Sequence, residues 1–153
     1  MTDRLPTAVL FACTQNSVRS PIAAALTRHL YPKKIYCRSA GVEVGNLDPF
    51  VDIVMREIGV DITRHKPHTF AALADASFDL VISLSPEAKI RVQDWTRTLA
   101  IDVEHWPTDD PTKINGTRNQ QLLAYRSVRD ELLGKIIARL GLPLQPIRGE
   151  DDQ

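Results

Sequence analysis

The chain has 153 residues, and its 19 basic and 19 acidic side chains cancel to no formal net charge. That length suits one domain with a sizeable core, and 25% charged with 43% hydrophobic residues is an ordinary globular composition. The neutral balance without a basic block argues against nucleic acid as main partner and against a polybasic membrane anchor, and no apolar run approaches the ~18 residues of a spanning helix.

Met1 to Pro6 lack the charged-then-apolar layout of a secretory leader, so a cytoplasmic location is expected. Thr7 to Cys13 is a short apolar run suited to a strand buried on both faces. A helix is predicted to open at Ser20-Pro21, a capping side chain before proline at the first helical position. Lys34 to Ser39 predicts a second strand. Asp48-Pro49 opens a helix with Phe50, Ile53, Val54 and Ile58 on one stripe and a stop at Gly59. Phe78 to Ser83 predicts a third strand and Ser85-Pro86 another helix start. Leu99 to Trp106 predicts a fourth strand, with Ile101, Val103 and His105 on one side. A last helix is expected from about Asn119 to Leu140, ended by Gly141 and Pro143.

This alternation predicts an α/β fold: a single domain with a four-stranded parallel sheet and helices on both faces. The domain is expected to span residues 1–141, with 142–153 as a frayed tail. Ligands of such sheets bind beyond the carboxyl ends of the strands, where Cys13 falls.

The informative segment is Cys13-Thr14-Gln15-Asn16-Ser17-Val18-Arg19-Ser20-Pro21. A cysteine six residues before an arginine is weak alone, since chance gives it in roughly one such sequence in six. Context sharpens it: a strand ends at Cys13, five mostly small or polar residues follow, and a helix opens. Thr14 to Ser20 would turn backbone N–H groups toward one centre, and the helix would add its positive end. Arg19 would hold two oxygens of a tetrahedral oxyanion, and the same field favours the thiolate of Cys13 aimed at that ion. The two cysteines are too few for a disulfide scaffold, which fits a reducing compartment.

Cys13-x5-Arg19-Ser20-Pro21 after an apolar strand resembles the low-molecular-weight protein tyrosine phosphatases and their relatives, the thioredoxin-coupled arsenate reductases. Ser39-Ala40-Gly41, Asp48-Pro49, Gly59 to His65 and the late Asp110-Pro111 follow that family's order. The resemblance implies a Cys13 nucleophile, an Arg19 oxyanion clamp, and Asp110 as acid for the leaving group and then base for water. Asp109 competes for that role, and Asp-Pro pairs also serve as plain turns, as at Asp48-Pro49. The resemblance further assigns a supporting network to Asn16, Ser39 and His65, with Asn16 held by hydroxyl and imidazole partners. Ser20 is expected to donate to the sulfur as well as cap its helix. No cofactor or metal is implied, and His65-x2-His68 with Pro67 between them is not a convincing metal pair.

Three departures bear on function. Val18 stands where phosphatase relatives often carry a second cysteine. Thr112 and Lys113 follow Asp110-Pro111 where aromatics would stack on a phosphotyrosine ring. Ser83 to Glu87 lack the two further cysteines of the reductases. Cys37, inside a predicted strand, reads as a packed apolar residue. The leading expectation is a cysteine-dependent phosphatase of phosphate monoesters, tyrosyl phosphate first, so the partner is a phosphorylated protein or a small phosphate or arsenate oxyanion. The second is an arsenate reductase using Cys13 with an external thiol donor such as glutathione or glutaredoxin, toward which the loop's Cys-Thr-x-Asn-Ser wording leans. The third is an oxyanion-binding module without turnover, against which intact Cys13, Arg19 and Asp110 argue.

Overall fold

In the computed structural model, residues 5–73 and 77–147 are described. Strand β1 (Ala8–Cys13) leads to helix α1 (Arg19–Leu30), β2 (Tyr36–Gly41) and α2 (Pro49–Arg56). After a 3-10 turn at Ala71–Leu73 come β3 (Leu80–Ser83), α3 (Pro86–Thr96) and β4 (Asp102–His105). A second 3-10 turn, Pro111–Lys113, precedes α4 (Arg118–Leu140). The four strands form one parallel sheet in the order β2-β1-β3-β4.

The period-2 alternation of β1 sorts its side chains onto two cores. Val9, Phe11 and Cys13 face a cluster completed by Ile22 and Leu26 of α1, Val51 and Val54 of α2, and Leu132 and Ile136 of α4. Leu10 and Ala12 face Phe70, Leu73, Phe78 and, from α3, Ala88 and Val92. Helices therefore cover both faces, and β1 is apolar throughout because neither face meets water. Among the described residues no helix is long and apolar enough to cross a membrane.

Helix α1 opens two residues earlier than predicted, at Arg19 rather than Pro21, and Ser20 is not its cap. Val18 holds the cap position and, having no polar side-chain atom, makes no cap bond, while the Ser20 hydroxyl is turned onto Cys13 and Asn16. The other two predicted caps form: Asp48 accepts from the Phe50 amide and Ser85 from the Ala88 amide. Helix α4 starts from a capping box, Thr117 with Gln120, slightly before the predicted start. Strand β2 begins at Tyr36 rather than Lys34, since the amides of Lys34 and Ile35 are both spent on the Tyr31 carbonyl. Strand β4 is shorter than predicted because the Leu99 amide closes a turn on Thr96, and as an edge strand it leaves Val103 exposed. Fraying from residue 142 is not what the structure shows. The amides of Leu144 and Gln145 donate to the Leu30 carbonyl, and Ile147 packs on the core. Residues 148–153, the rest of the expected tail, lie outside the described residues.

Candidate active site

The loop between β1 and α1 is pinned from outside by its carbonyls. Those of Cys13, Thr14, Gln15 and Ser17 accept from the amides of Val42, Glu43, Gly45 and Asp48 at 2.8–3.1 Å. The Asn16 carbonyl lies 3.0 Å from His65 Nε2. With every carbonyl of 13–17 turned outward, the amides of Thr14 to Val18 point the other way and meet no acceptor among the described residues. That is the concave array of donors an anion requires. The loop lies so close to the end of β2 that a Cβ on Gly41 would sit 2.7 Å from the Asn16 nitrogen and 2.3 Å from the Glu43 oxygen. Glycine is needed there for space.

Asn16 is the keystone of the loop. It is wholly buried and holds φ at +54°, a left-handed conformation that asparagine tolerates better than most residues. Its Nδ2 donates to Ser20 Oγ at 2.8 Å, and its Oδ1 accepts from the His68 amide at 2.8 Å. Ser20 Oγ also lies 2.9 Å from Cys13 Sγ. Since Asn16 occupies the hydroxyl as a donor, the hydroxyl's own proton is directed at the sulfur.

The predicted supporting network is thus present in altered form. The hydroxyl partner of the Asn16 amide is Ser20 and its second partner is a backbone amide, His68, while the His65 imidazole binds the Asn16 carbonyl instead. Burial holds the His65 ring below the usual histidine range, so near neutrality it donates from Nε2 as a neutral imidazole. Ser39 is buried on β2 and forms no hydrogen bond to Asn16. Asn16 and Ser20, both expected in the cradle as well, turn their side chains behind the loop; Thr14, Gln15, Ser17, Val18 and Arg19 line its open side.

That side is a cavity of about 890 Å³ at the carboxyl ends of β1, β3 and β4, with Cys13 in its lining. Arg19, mostly buried, spans from α1 to donate from Nη1 to the Thr108 carbonyl at 3.0 Å, tying the loop to the segment after β4. That segment brings both aspartates to the cavity wall. Asp110 is half-buried and caps the Pro111–Lys113 turn, its Oδ1 accepting from the Thr112 amide and hydroxyl at 3.0 and 2.6 Å. Asp109 is exposed on the same wall. On the other flank Glu87, at the first turn of α3, meets the Thr14 hydroxyl at 3.0 Å. Its carboxyl is held below the usual range by its own backbone amide and by Thr14.

Sequence reading missed His68, Thr108 and Glu87. Glu87 was findable, because Ser85-Pro86-Glu87 is a helix start that aims its first turn at the same sheet edge. The other two contribute backbone groups, which no side-chain motif marks.

Cys13 does not have a second thiol at hand. Cys37 is buried on β2 in register with Val9, four residues back along β1 from Cys13, so the two lie about 13 Å apart along the strands. A disulfide needs Cα atoms within about 7 Å. Burial pushes the Cys37 thiol up to about 12, leaving it an inert core residue.

A parallel α/β sheet ending in a cysteine, a ring of inward amides and a buried arginine defines an oxyanion-handling site. The chain belongs to the low molecular weight phosphotyrosine protein phosphatase family, whose model matches residues 8–140. It is 30% identical over 128 residues to an arsenate reductase of Shouchella clausii, covering 84% of this chain and 91% of that one. Its fold matches a solved arsenate reductase in the phosphate binding state at a TM-score of 0.69 and 27% identity, covering 88% of this chain and 99% of the other. The tyrosine phosphatase amsI of Erwinia amylovora shares the fold at a TM-score of 0.71 and 20% identity, over 92% of this chain and 97% of that one. The relatives are phosphatases and arsenate reductases, and this chain is an enzyme of that kind.

Proposed function

We propose that the protein is a cysteine-dependent phosphatase acting on phosphate monoesters. The observation that carries this is the convergence of Cys13, the free amides of residues 14–18, Arg19 and Asp110 on one cavity, with no second thiol in reach. The amides and the Arg19 fork hold three phosphoryl oxygens as charge develops on them. The Cys13 thiolate, supported by Ser20, attacks phosphorus while the ester P–O bond breaks. Asp110 gives its proton to the departing alkoxide; it is the better held of the two aspartates, with Oδ1 fixed by Thr112 and the other oxygen free. Water then attacks the cysteinyl-phosphate, Asp110 takes its proton, and phosphate leaves with the thiolate regenerated.

Tyrosyl phosphate is the first substrate to test, although the wall offers Pro86, Pro111 and Ile114 rather than an aromatic ring for the leaving group. A nucleophilic thiol without a disulfide partner suits the cytoplasm. Similarity to arsenate reductases supports a second reading, in which Cys13 displaces an arsenate oxygen as water and external thiols supply both electrons, ending as a disulfide. The deciding experiment runs para-nitrophenyl phosphate hydrolysis beside glutathione- and glutaredoxin-dependent arsenate loss. Faster thiol-dependent arsenate loss, with no phosphate release, overturns the first reading. Asp110→Asn should cost about 10²–10⁴-fold with an unactivated ester and less with the nitrophenyl ester. If Asp109→Asn behaves so instead, the acid is Asp109.

A further inference from the structure

A second cavity, of about 350 Å³, shares no lining residue with the first. Its wall carries four cations, Arg28, Arg38, Arg64 and Lys66, with the imidazoles of His65 and His68. It has no carboxylate in its lining, and none of the four cations joins an ion pair among the described residues. Asp61, in the adjoining groove, feels the charge of Arg64 but spends its Oδ1 on the Thr63 amide and hydroxyl at 2.9 and 2.7 Å.

Two of the cations are held in place by neutral groups. Arg28 Nε donates to the Cys37 carbonyl at 3.0 Å, and Arg38 bonds Tyr36 Oη at 3.0 Å and His68 Nε2 at 3.2 Å. Because arginine has only donors, His68 Nε2 is the acceptor and its ring is neutral. Both guanidinium groups thus keep donors and full charge for something else. Ser39 closes the cavity, nearly all buried, its hydroxyl engaged in no hydrogen bond among the described residues. Four like charges around one hollow, none of them in an ion pair among the described residues, repel one another, and a guest of opposite charge relieves that.

We propose that this cavity is a second anion site, which takes a small multivalent phosphate such as a diphosphate. The volume holds a diphosphate group but not a folded partner, and arginine forks match its oxygens. The occupant would touch the residues that grip Asn16: His65 through its ring and His68 through its amide. It would therefore sit one hydrogen bond behind the phosphate loop, on the side away from substrate. The inference concerns binding alone and stands or falls apart from either reaction.

The test is a residue-resolved NMR titration of the labelled full chain with inorganic pyrophosphate at fixed ionic strength, with ADP in a parallel arm to separate the free ion from a nucleotide's diphosphate. The expected result is two binding curves, one read by the amides of residues 14–18 and a second by those of residues 38–39, 64–66 and 68–69. The Arg64→Gln/Lys66→Gln variant, changed only at exposed positions, should weaken the second curve by about tenfold or more and leave the first in place. A single shared curve for both groups would overturn the proposal. So would a second curve that the double variant leaves unmoved.

Discussion

Replacing Asn16 by alanine tests whether the loop's shape is stored in one side chain. The change deletes the 2.8 Å donation to Ser20 Oγ and the 2.8 Å acceptance from the His68 amide. Each such bond contributes about 1 kcal/mol net, and the abandoned His68 amide adds about 1–3 kcal/mol if nothing replaces its acceptor. Alanine at the φ of +54° adds about 1 kcal/mol more. The sum is about 4–6 kcal/mol, and a domain of this size loses about 2–4 °C of Tm per kcal/mol, so a fall of about 10 °C or more is expected. Thermal unfolding followed by circular dichroism measures it. Turnover should fall by about 10²-fold even where the protein is fully folded, because Ser20 no longer has a fixed orientation toward the sulfur. Asn16→Gly separates the causes, since it relieves the backbone while losing both bonds and should recover about 1 kcal/mol. A Tm within 2 °C of wild type for Asn16→Ala would show that the 42–48 segment alone fixes the loop, and would refute the argument.

Cys13→Ser should abolish turnover of para-nitrophenyl phosphate while phosphate still binds, measured by calorimetry, since the amides and Arg19 remain. Peroxide should carry Cys13 to forms gaining two or three oxygens in intact-mass spectra, with phosphate protecting; a reversible loss of two hydrogens mapped to a Cys13–Cys37 bridge would contradict the separation of the two strands' cysteines. Burial holds the rings of His65, His68 and His105 below the usual histidine value, so the unfolded chain takes up protons first as pH falls through about 6.5. Their contribution to stability is therefore complete above that pH and is lost below it; Tm should drop between pH 7.5 and 5.5, and His65→Gln should lessen the drop.

What the sequence disclosed and what it hid divide along physical lines. Strands buried on both faces announce themselves by composition, which is why β1 and β3 were placed within a residue or two. Caps followed by proline gave α2 and α3 their starts. The same rule failed at Ser20, because a cap must turn its oxygen toward helix amides, and this oxygen instead accepts from Asn16 Nδ2 and faces the Cys13 sulfur from inside the helix. Edge strand β4 was overextended since its alternation continues past the point where a partner exists. Cys13, Arg19 and Asp110 were legible as spaced motifs, and the structure brings all three to one cavity. Ser39 was assigned to the Asn16 network by resemblance and lies instead on the wall of the basic cavity. The partners that replace it are Ser20 and the main chain of His68, and a main-chain donor leaves no trace in a sequence.

The cradle and its rim come from different parts of the chain. Everything that shapes the loop lies behind it: Gly41, the amides of 42–48, His65 and His68. The rest of the cavity wall lies in front, from the start of α3, the 108–114 segment and the middle of α4. Arg19 to Thr108, Thr14 to Ser85 and Glu87, and Tyr125 to Asp48 cross-link the two. On the proposed mechanism, substitutions in front would alter the leaving group or the thiol donor accepted while Cys13 keeps its geometry. Under the proposed mechanism Cys13 and Arg19 would fix the oxyanion chemistry, while the choice between phosphatase and arsenate reductase would rest on the rim and on whether a second thiol can reach the sulfur.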